Sequence, residues 1–324
     1  MNAQAAAGLT LRLVREAHER IKDRIHRTPV MTSRTLDADA GARLFFKCEN
    51  FQKAGAFKAR GATNAVFCLS AVEADRGVAT HSSGNHGAAL ARAAQLRGIR
   101  AHVVMPDNAP KAKRQSVERY GGIIHFCQST IEARERTLER VLSDTGACPI
   151  HPYNDLRVMA GQGTAGVELI EAIPDLDLVL CPVGGGGLLS GTAVAAKGMR
   201  PSIRVIGVEP AAADDAARSF RAGRIVPSVD PKTIADGLRA SLGDRTFAEI
   251  RRHVDDIVTV SEEAIVEAMR RIWEIMKIVV EPSAAVAYAA LAERRVEVAD
   301  SRVGIILTGG NLDLDRLPWT TATG

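Results

Sequence analysis

Leu178-Val-Leu-Cys-Pro182-Val-Gly184-Gly-Gly-Gly187-Leu-Leu-Ser190-Gly-Thr-Ala-Val-Ala-Ala196 is the longest stretch of the chain without a charged side chain. Its length invites a membrane span, but Pro182 and four consecutive glycines interrupt it where a spanning helix must be continuous. What remains is a buried strand, Leu176–Val183, then a glycine loop, then a helix. Strand, glycine loop and helix in that order is a unit of a layered α/β protein.

Working outward, the same unit recurs. Apolar or β-branched runs predict parallel strands at Leu44–Cys48, Val78–His81, His102–Met105, Ile123–Cys127, Arg204–Val208, Ile257–Val260 and Val303–Leu307. Amphipathic stretches lie between them, among them Ala59–Leu69, Ala88–Leu96, Lys111–Tyr120, Ala133–Leu142, Thr164–Ala172 and Glu262–Met276. The expectation is an α/β fold of open, twisted, parallel-rich sheets flanked by helices. Pro29, Gly161–Gly163 and Gly184–Gly187 read as punctuation between elements. No long Pro- or Ser-rich linker appears, so a two-domain chain has to cross between domains more than once.

The 324 residues allow one large domain or two modest ones. With 42 basic and 38 acidic residues, the net charge of +4 is too small to argue for nucleic acid or a membrane surface. The start, MNAQAAAGLTLRLVREAHERI, lacks a charged n-region ahead of an apolar h-region, so no signal peptide is expected. Five scattered cysteines without a CxxC predict reduced thiols in a cytoplasm. The histidines show no zinc-site spacing.

Four motifs carry candidate chemistry. In Ala56-Phe57-Lys58-Ala-Arg60-Gly, a lysine beside Phe57 at a helix start is either a desolvated, nucleophilic amine or an ordinary surface lysine. His81-Ser82-Ser83-Gly84-Asn85-His86 sits between a strand and a helix and offers hydroxyls, an amide and free N–H groups to an anion. Gly184–Gly187 lets the backbone wrap a phosphate. It also lies one residue off a dinucleotide fingerprint, with Glu209 at the next strand end, so a nicotinamide oxidoreductase is an alternative. Thr308-Gly-Gly-Asn311 lies at a strand carboxyl end, where open α/β sheets bind ligands. A further cluster, Glu209 to Asp215, is either a site for a hard cation or a solvated helix start.

Taken together and in order, these motifs, with Gly161-Gln-Gly163-Thr, resemble the fold-type II pyridoxal-phosphate enzymes. Within them the chain is most similar to the serine racemase, serine/threonine dehydratase and 3-hydroxyaspartate dehydratase group, from Arg27 onward. The resemblance implies a tryptophan-synthase-β-like fold with the cofactor between two domains. The larger spans 1–67 and 156–324, and a small mobile one spans 77–154. It implies that Lys58 bonds covalently to pyridoxal phosphate and moves the α-proton. Phe57 packs by the cofactor ring, Asn85 meets its 3-hydroxyl, and Gly184, Gly185, Gly186, Gly187 and the Leu188 N–H cradle the phosphate. Thr308 faces the pyridine nitrogen, a neutral partner that suits elimination and racemisation better than transamination.

The resemblance further assigns Ser83 as acid/base opposite Lys58. Ser82, Ser83, Asn85 and His86 take the substrate carboxylate, and Arg134 takes the distal carboxylate of dicarboxylic ligands. Glu209, the Ala213 carbonyl and Asp215 match a divalent-cation site for Mg²⁺ or Ca²⁺. Ala56 and His151-Pro-Tyr153-Asn154-Asp155 depart from mammalian-type racemases toward the hydroxyaspartate dehydratases. Lys53, Tyr120, Lys277 and Asn311 have counterparts around the nucleotide site of serine racemases, whereas a threonine there is Ala54. The implied protein is a cytoplasmic homodimeric ammonia-lyase acting on a β-hydroxy-α-amino acid. 3-Hydroxyaspartate is favoured, serine, threonine and 3-phenylserine remain open, and serine racemisation is the alternative.

Overall fold

The computed structural model describes residues 8–82, 84–109 and 111–320, without the side chains of Ala112 and Ile131. The chain begins α1 (Leu11–Ile21), β1 (Val30–Met31), α2 (Arg34–Ala40), β2 (Arg43–Cys48), α3 (Lys58–Phe67) and α4 (Ala71–Arg76). Next come β3 (Val78–His81), α5 (Asn85–Arg97), β4 (Ala101–Pro106), α6 (Lys111–Arg119), β5 (Ile123–Cys127), α7 (Ile131–Thr145) and β6 (Cys148–Pro149). The remainder is α8 (Leu156–Ala172), β7 (Leu178–Pro182), α9 (Gly187–Met199), β8 (Arg204–Pro210), α10 (Asp215–Ala222) and α11 (Asp244–His253). It ends with β9 (Asp256–Val260), α12 (Glu262–Arg271), α13 (Pro282–Ala292) and β10 (Arg302–Leu307).

The strands form a six-stranded sheet, β1-β2-β10-β7-β8-β9, and a four-stranded sheet, β5-β4-β3-β6. Every pairing is parallel except β1 with β2. All eight runs expected as strands are strands, because a parallel strand covered on both faces reads as an unbroken apolar run. β1 and β6, at two residues each, carry no periodic signal and were not foreseen.

Alternation along β10 shows how the large sheet is buried. Val303, Ile305 and Leu307 join α2, α12 and α13 on one face, while Ile306 joins α8, α9, α10 and α11 on the other. α13, PSAAVAYAALA, has no charged residue and is buried from Ser283 to Leu291, as an all-round apolar helix must be. Pro282 at its first turn costs no hydrogen bond, since that N–H has no intrahelical acceptor. The small sheet is covered by α3, α4, α5 and α6 on one face and by α7 on the other.

One expectation is corrected. Gly161–Gly163 does not punctuate the chain but lies inside α8, which starts at Leu156, not Thr164. A Cβ on Gly161 would stand 2.6 Å from the Gly61 Cα of α3, and one on Gly191 of α9 would stand 2.4 Å from the Met159 carbonyl. These glycines let three helix backbones touch, so packing gain outweighs their helix penalty of about 1 kcal/mol each.

Candidate active site

In the large sheet Leu307 pairs with Cys48 and Ile305 with Leu180, so β2, β10 and β7 end side by side. The segments leaving those ends carry Lys58, Thr308 and Gly184. Sheet topology therefore gathers at one edge three residues that are far apart in sequence. A bridge between Ala56 and Gly309 extends the pairing, and the Phe57 N–H donates to the Thr308 carbonyl at 3.0 Å. Lys58 is thereby held to Thr308 through its neighbour's backbone.

Lys58 opens α3, and its Nζ donates to the Pro152 carbonyl at 2.8 Å. The amine also lies 5.1 Å from the Phe57 ring centroid. Among the described residues no carboxylate pairs with it, and burial lowers its pKa to about 8. Two residues along α3, Arg60 is fully buried and grips two carboxylates. Its Nε and Nη2 donate to Glu49, and its Nη1 and Nη2 to Glu168, all between 2.7 and 2.8 Å. Lys47 adds a bond to Glu168 at 2.6 Å. Sequence reading missed this network: Arg60 stands in the Phe-Lys motif, but its partners Lys47, Glu49 and Glu168 lie in separate segments and carry no motif.

The loop after β3 turns back on itself at Ser82, whose Oγ accepts from the Gly84 and Gly87 N–H groups at 3.3 and 3.1 Å. Ser83 lies outside the described residues. Asn85 starts α5, with Nδ2 donating to Glu281 at 2.9 Å and Oδ1 accepting from Asn311 at 3.0 Å. Glu281 was not foreseen either, since Glu-Pro before an alanine-rich run signals only a helix start. His86 is buried with neither ring nitrogen partnered among the described residues. Burial, then the nearby Lys58 charge, holds it well below the usual histidine range.

Across from this loop, Gly186 caps α9 with φ +85°, a conformation that favours glycine. Among the described residues, the N–H groups of Gly184–Leu188 donate to no protein acceptor, leaving a row of donors at a helix N-terminus. The Tyr153 ring packs against Gly185, where an added Cβ would stand 2.4 Å away. Tyr153 meets His151 edge to face at 4.6 Å. Thr308 is 3% exposed, yet its Oγ1 has no partner among the described residues.

Arg134, on α7, has a buried Nε without a partner, and no ion pair is found for it among the described residues. Burial first and then the Arg134 charge lower the pKa of His81, at the end of β3. Farther off, Glu209 ends β8 buried, accepting from the Ala216 and Ala217 N–H groups of α10. Burial, despite those bonds, pushes it up to about 9, and burial also raises Asp215 to about 6. The Asp215 Oδ2 is buried without a partner among the described residues. Among the described residues no three His, Cys, Asp or Glu side chains form a metal cage. Of the cluster's three carboxylates, Asp214 is paired with Arg218, which leaves Glu209 and Asp215. No helix among the described residues is long and apolar enough to cross a membrane.

Residues 21–309 match the family described as pyridoxal-phosphate dependent enzyme. The chain is 54% identical over 303 residues to the beta-hydroxyaspartate dehydratase of Paracoccus denitrificans, covering 94% of this chain and 96% of that protein. It is 52% identical over 309 residues to the serine racemase of Arabidopsis thaliana, covering 94% and 93%. The solved structure of maize serine racemase superposes with a TM-score of 0.93 at 50% identity, covering 95% of each chain. The fold-type II architecture and the pyridoxal-phosphate requirement expected from sequence are borne out, and the nicotinamide reading of the glycine loop falls away. With family match, two-sheet fold and near-complete coverage in agreement, the chain belongs to the pyridoxal-phosphate dependent enzymes.

Proposed function

We propose that this enzyme removes the β-hydroxyl of a β-hydroxy-α-amino acid, with 3-hydroxyaspartate as the favoured substrate, releasing a 2-oxo acid and ammonia. The observation that carries the substrate choice is Arg134, a guanidinium whose charge acts on His81 and whose buried Nε has no partner, and which pairs with no carboxylate, among the described residues. A distal carboxylate would supply the missing partner through charge-assisted hydrogen bonds of about 1.5–3 kcal/mol each. The similarity to the beta-hydroxyaspartate dehydratase of Paracoccus denitrificans supports this choice.

The residues present fit pyridoxal phosphate. Lys58 supplies a buried amine for covalent attachment, Phe57 packs by the ring, and Asn85 supplies an amide for the 3-hydroxyl. The unpaired N–H groups of Gly184, Gly185, Gly186, Gly187 and Leu188 suit a phosphate, and the orphaned Thr308 hydroxyl suits a ring nitrogen. When bound, the cofactor supplies an electron sink for charge left at the substrate Cα. Lys58 Nζ, with no carboxylate among the described residues to hold its proton, takes the proton from Cα. Asn85 and His86, at the start of α5, and Ser82, in the loop before it, receive the α-carboxylate with the helix dipole behind them. Arg134 orients the β-carbon by its grip on the far end of the substrate.

Serine racemisation is the second reading, favoured by the similarity to the plant racemases. It needs an acid/base opposite Lys58, the role that the resemblance gives to Ser83. We place a divalent cation, Mg²⁺ or Ca²⁺, on Glu209, the Ala213 carbonyl and Asp215, since hard oxygens and a buried, unpartnered Oδ2 suit such an ion. We take residues 77–154, which hold the four-stranded sheet, as a small domain moving against 1–67 and 156–324. The assembly is a homodimer in this reading, supported by the exposed apolar pair Phe51 and Val279, linked through the bond from Asn50 to the Val279 carbonyl. A cytoplasmic location agrees with five free cysteines.

The test is 2-oxo-acid release across serine, threonine, the 3-hydroxyaspartates and 3-phenylserine, in wild type and Arg134→Ala. The expected result is a tenfold or greater loss of kcat/KM for hydroxyaspartate, with serine turnover nearly unchanged; tenfold corresponds to about 1.4 kcal/mol. Equal losses on both substrates, or better turnover of phenylserine by the wild type, overturns the choice.

A further inference from the structure

The geometry points to Glu281 as a positioning residue: with Asn311 it locks the Asn85 side chain so that an Nδ2–H, and not the carbonyl oxygen, is left to meet the cofactor's ring hydroxyl. This rests on the assignment of Asn85 to the cofactor made above, and extends it to the residue that holds the Asn85 amide.

The two ends of an asparagine amide are nearly identical in shape, so its neighbours decide which end faces where. Here the decision starts from a group with no choice. The Ala54 carbonyl accepts only, so Asn311 must turn its Nδ2 to it, at 2.8 Å. The second Nδ2–H of Asn311 then goes to Asn85 Oδ1, at 3.0 Å. Asn85 is left with Nδ2 toward Glu281 Oε1, at 2.9 Å. A flipped Asn85 would set two amide NH₂ groups against each other at Asn311, and would turn its carbonyl oxygen toward the Glu281 carboxyl. One Nδ2–H of Asn85 is therefore committed to Glu281 and the other is free.

Glu281 is itself held tightly. It is 3% exposed, caps α13, and its own N–H donates to the Gly309 carbonyl at 2.9 Å. A Cβ on Gly309 would stand 2.6 Å from Glu281 Oε1, so the strand end beside Thr308 keeps room for this carboxyl. Its Oε2 is buried and unpartnered among the described residues. A buried carboxyl is costly unless it does something its neighbours need. Burial, then Asp236, raise its pKa to about 7, opposed by Lys113 and by the bond from Asn85. In either protonation state Oε1 remains available as the acceptor for Asn85.

A fixed N–H donor favours the ionised form of the oxygen it meets. Glu281 would thus act on cofactor affinity and on the balance of its absorption bands without contacting substrate. The experiment compares Asn85→Ala, Glu281→Leu, Glu281→Gln and Asn311→Ala, each reconstituted from apoenzyme with pyridoxal phosphate. Cofactor Kd is read by fluorescence titration and the bound cofactor by its visible spectrum, with folding checked by circular dichroism. Glu281→Leu is expected to weaken cofactor binding tenfold or more and to shift the absorption bands in the same direction as Asn85→Ala. Glu281→Gln, which keeps an acceptor oxygen, should restore both toward wild type. Asn311→Ala breaks the chain at its other end without touching the buried carboxyl, and serves if Glu281→Leu does not fold. If Asn85→Ala shifts affinity and spectrum while folded Glu281→Leu or Asn311→Ala shifts neither, the positioning role is wrong. If Asn85→Ala itself changes nothing, the cofactor assignment of Asn85 is wrong and this inference falls with it.

Discussion

Lys58 Nζ donates across 2.8 Å to the Pro152 carbonyl, in the segment between β6 and α8. A carbonyl oxygen orients the amine without the full charge that would pin a proton on it. Burial, the cause of the shift, brings the amine to about 8 from an ordinary 10.5. The neutral, nucleophilic form is thus populated from about pH 8 upward. Recombination of apoenzyme with pyridoxal phosphate, followed by stopped-flow absorbance, is expected to rise with pH through a midpoint near 8 and to level off about one unit above it. A rise continuing toward 10.5 would show an unperturbed lysine. Lys58→Ala should lose both the covalently bound chromophore and turnover.

Behind that lysine, Glu168 is the acid whose loss should cost most. Burial alone would raise it, but the Arg60 hydrogen bonds and charge, with Lys47, bring it down to about 2. A carboxylate depressed on folding contributes stability in full above its unfolded value of about 4.5, and that contribution fades as pH falls toward 2. Glu168→Gln leaves Arg60 and Lys47 with too little countercharge in a dry site, at a cost of about 3–5 kcal/mol. Thermal unfolding at pH 7 should show a large drop in Tm. Between pH 4.5 and 2, wild type should lose more stability than the variant; parallel curves would refute the assignment.

Glu209 and Asp215 make a simpler prediction. If a divalent cation holds them, exhaustive chelation should lower Tm, and Mg²⁺ or Ca²⁺ should restore it by mass action. Glu209→Gln should abolish the response. A Tm indifferent to chelator in wild type removes the cation from this enzyme.

Inverting Cα requires a proton on the face that Lys58 does not serve. Ser83→Ala is expected to cut racemisation of serine a hundredfold or more, within the usual range of about 10²–10⁴ for general acid–base catalysis. Elimination from the L-substrate should fall less than tenfold. Measuring both with a chiral amino-acid assay and 2-oxo-acid release separates the roles. Equal losses would assign Ser83 to binding or leaving-group chemistry.

By itself the sequence determined the α/β class, the positions of the longer strands and the motifs at their ends. Continuous apolar runs have few other uses, and a glycine loop, a Phe-Lys pair and a Thr-Gly-Gly-Asn turn are each local. It also determined the kinship, since the motifs recur in order. Tertiary structure alone decided the rest. Gly161 reads as a break until three helices are seen touching at it and at Gly191. Glu281 and Asn85 stand 196 positions apart, and nothing in either neighbourhood announces the other. Arg60 finds Glu49 and Glu168 only after β2 and α8 are packed against α3. A hydrogen bond between distant residues leaves no period or spacing in the chain. It exists because the fold has already met the entropy cost of bringing the two groups together.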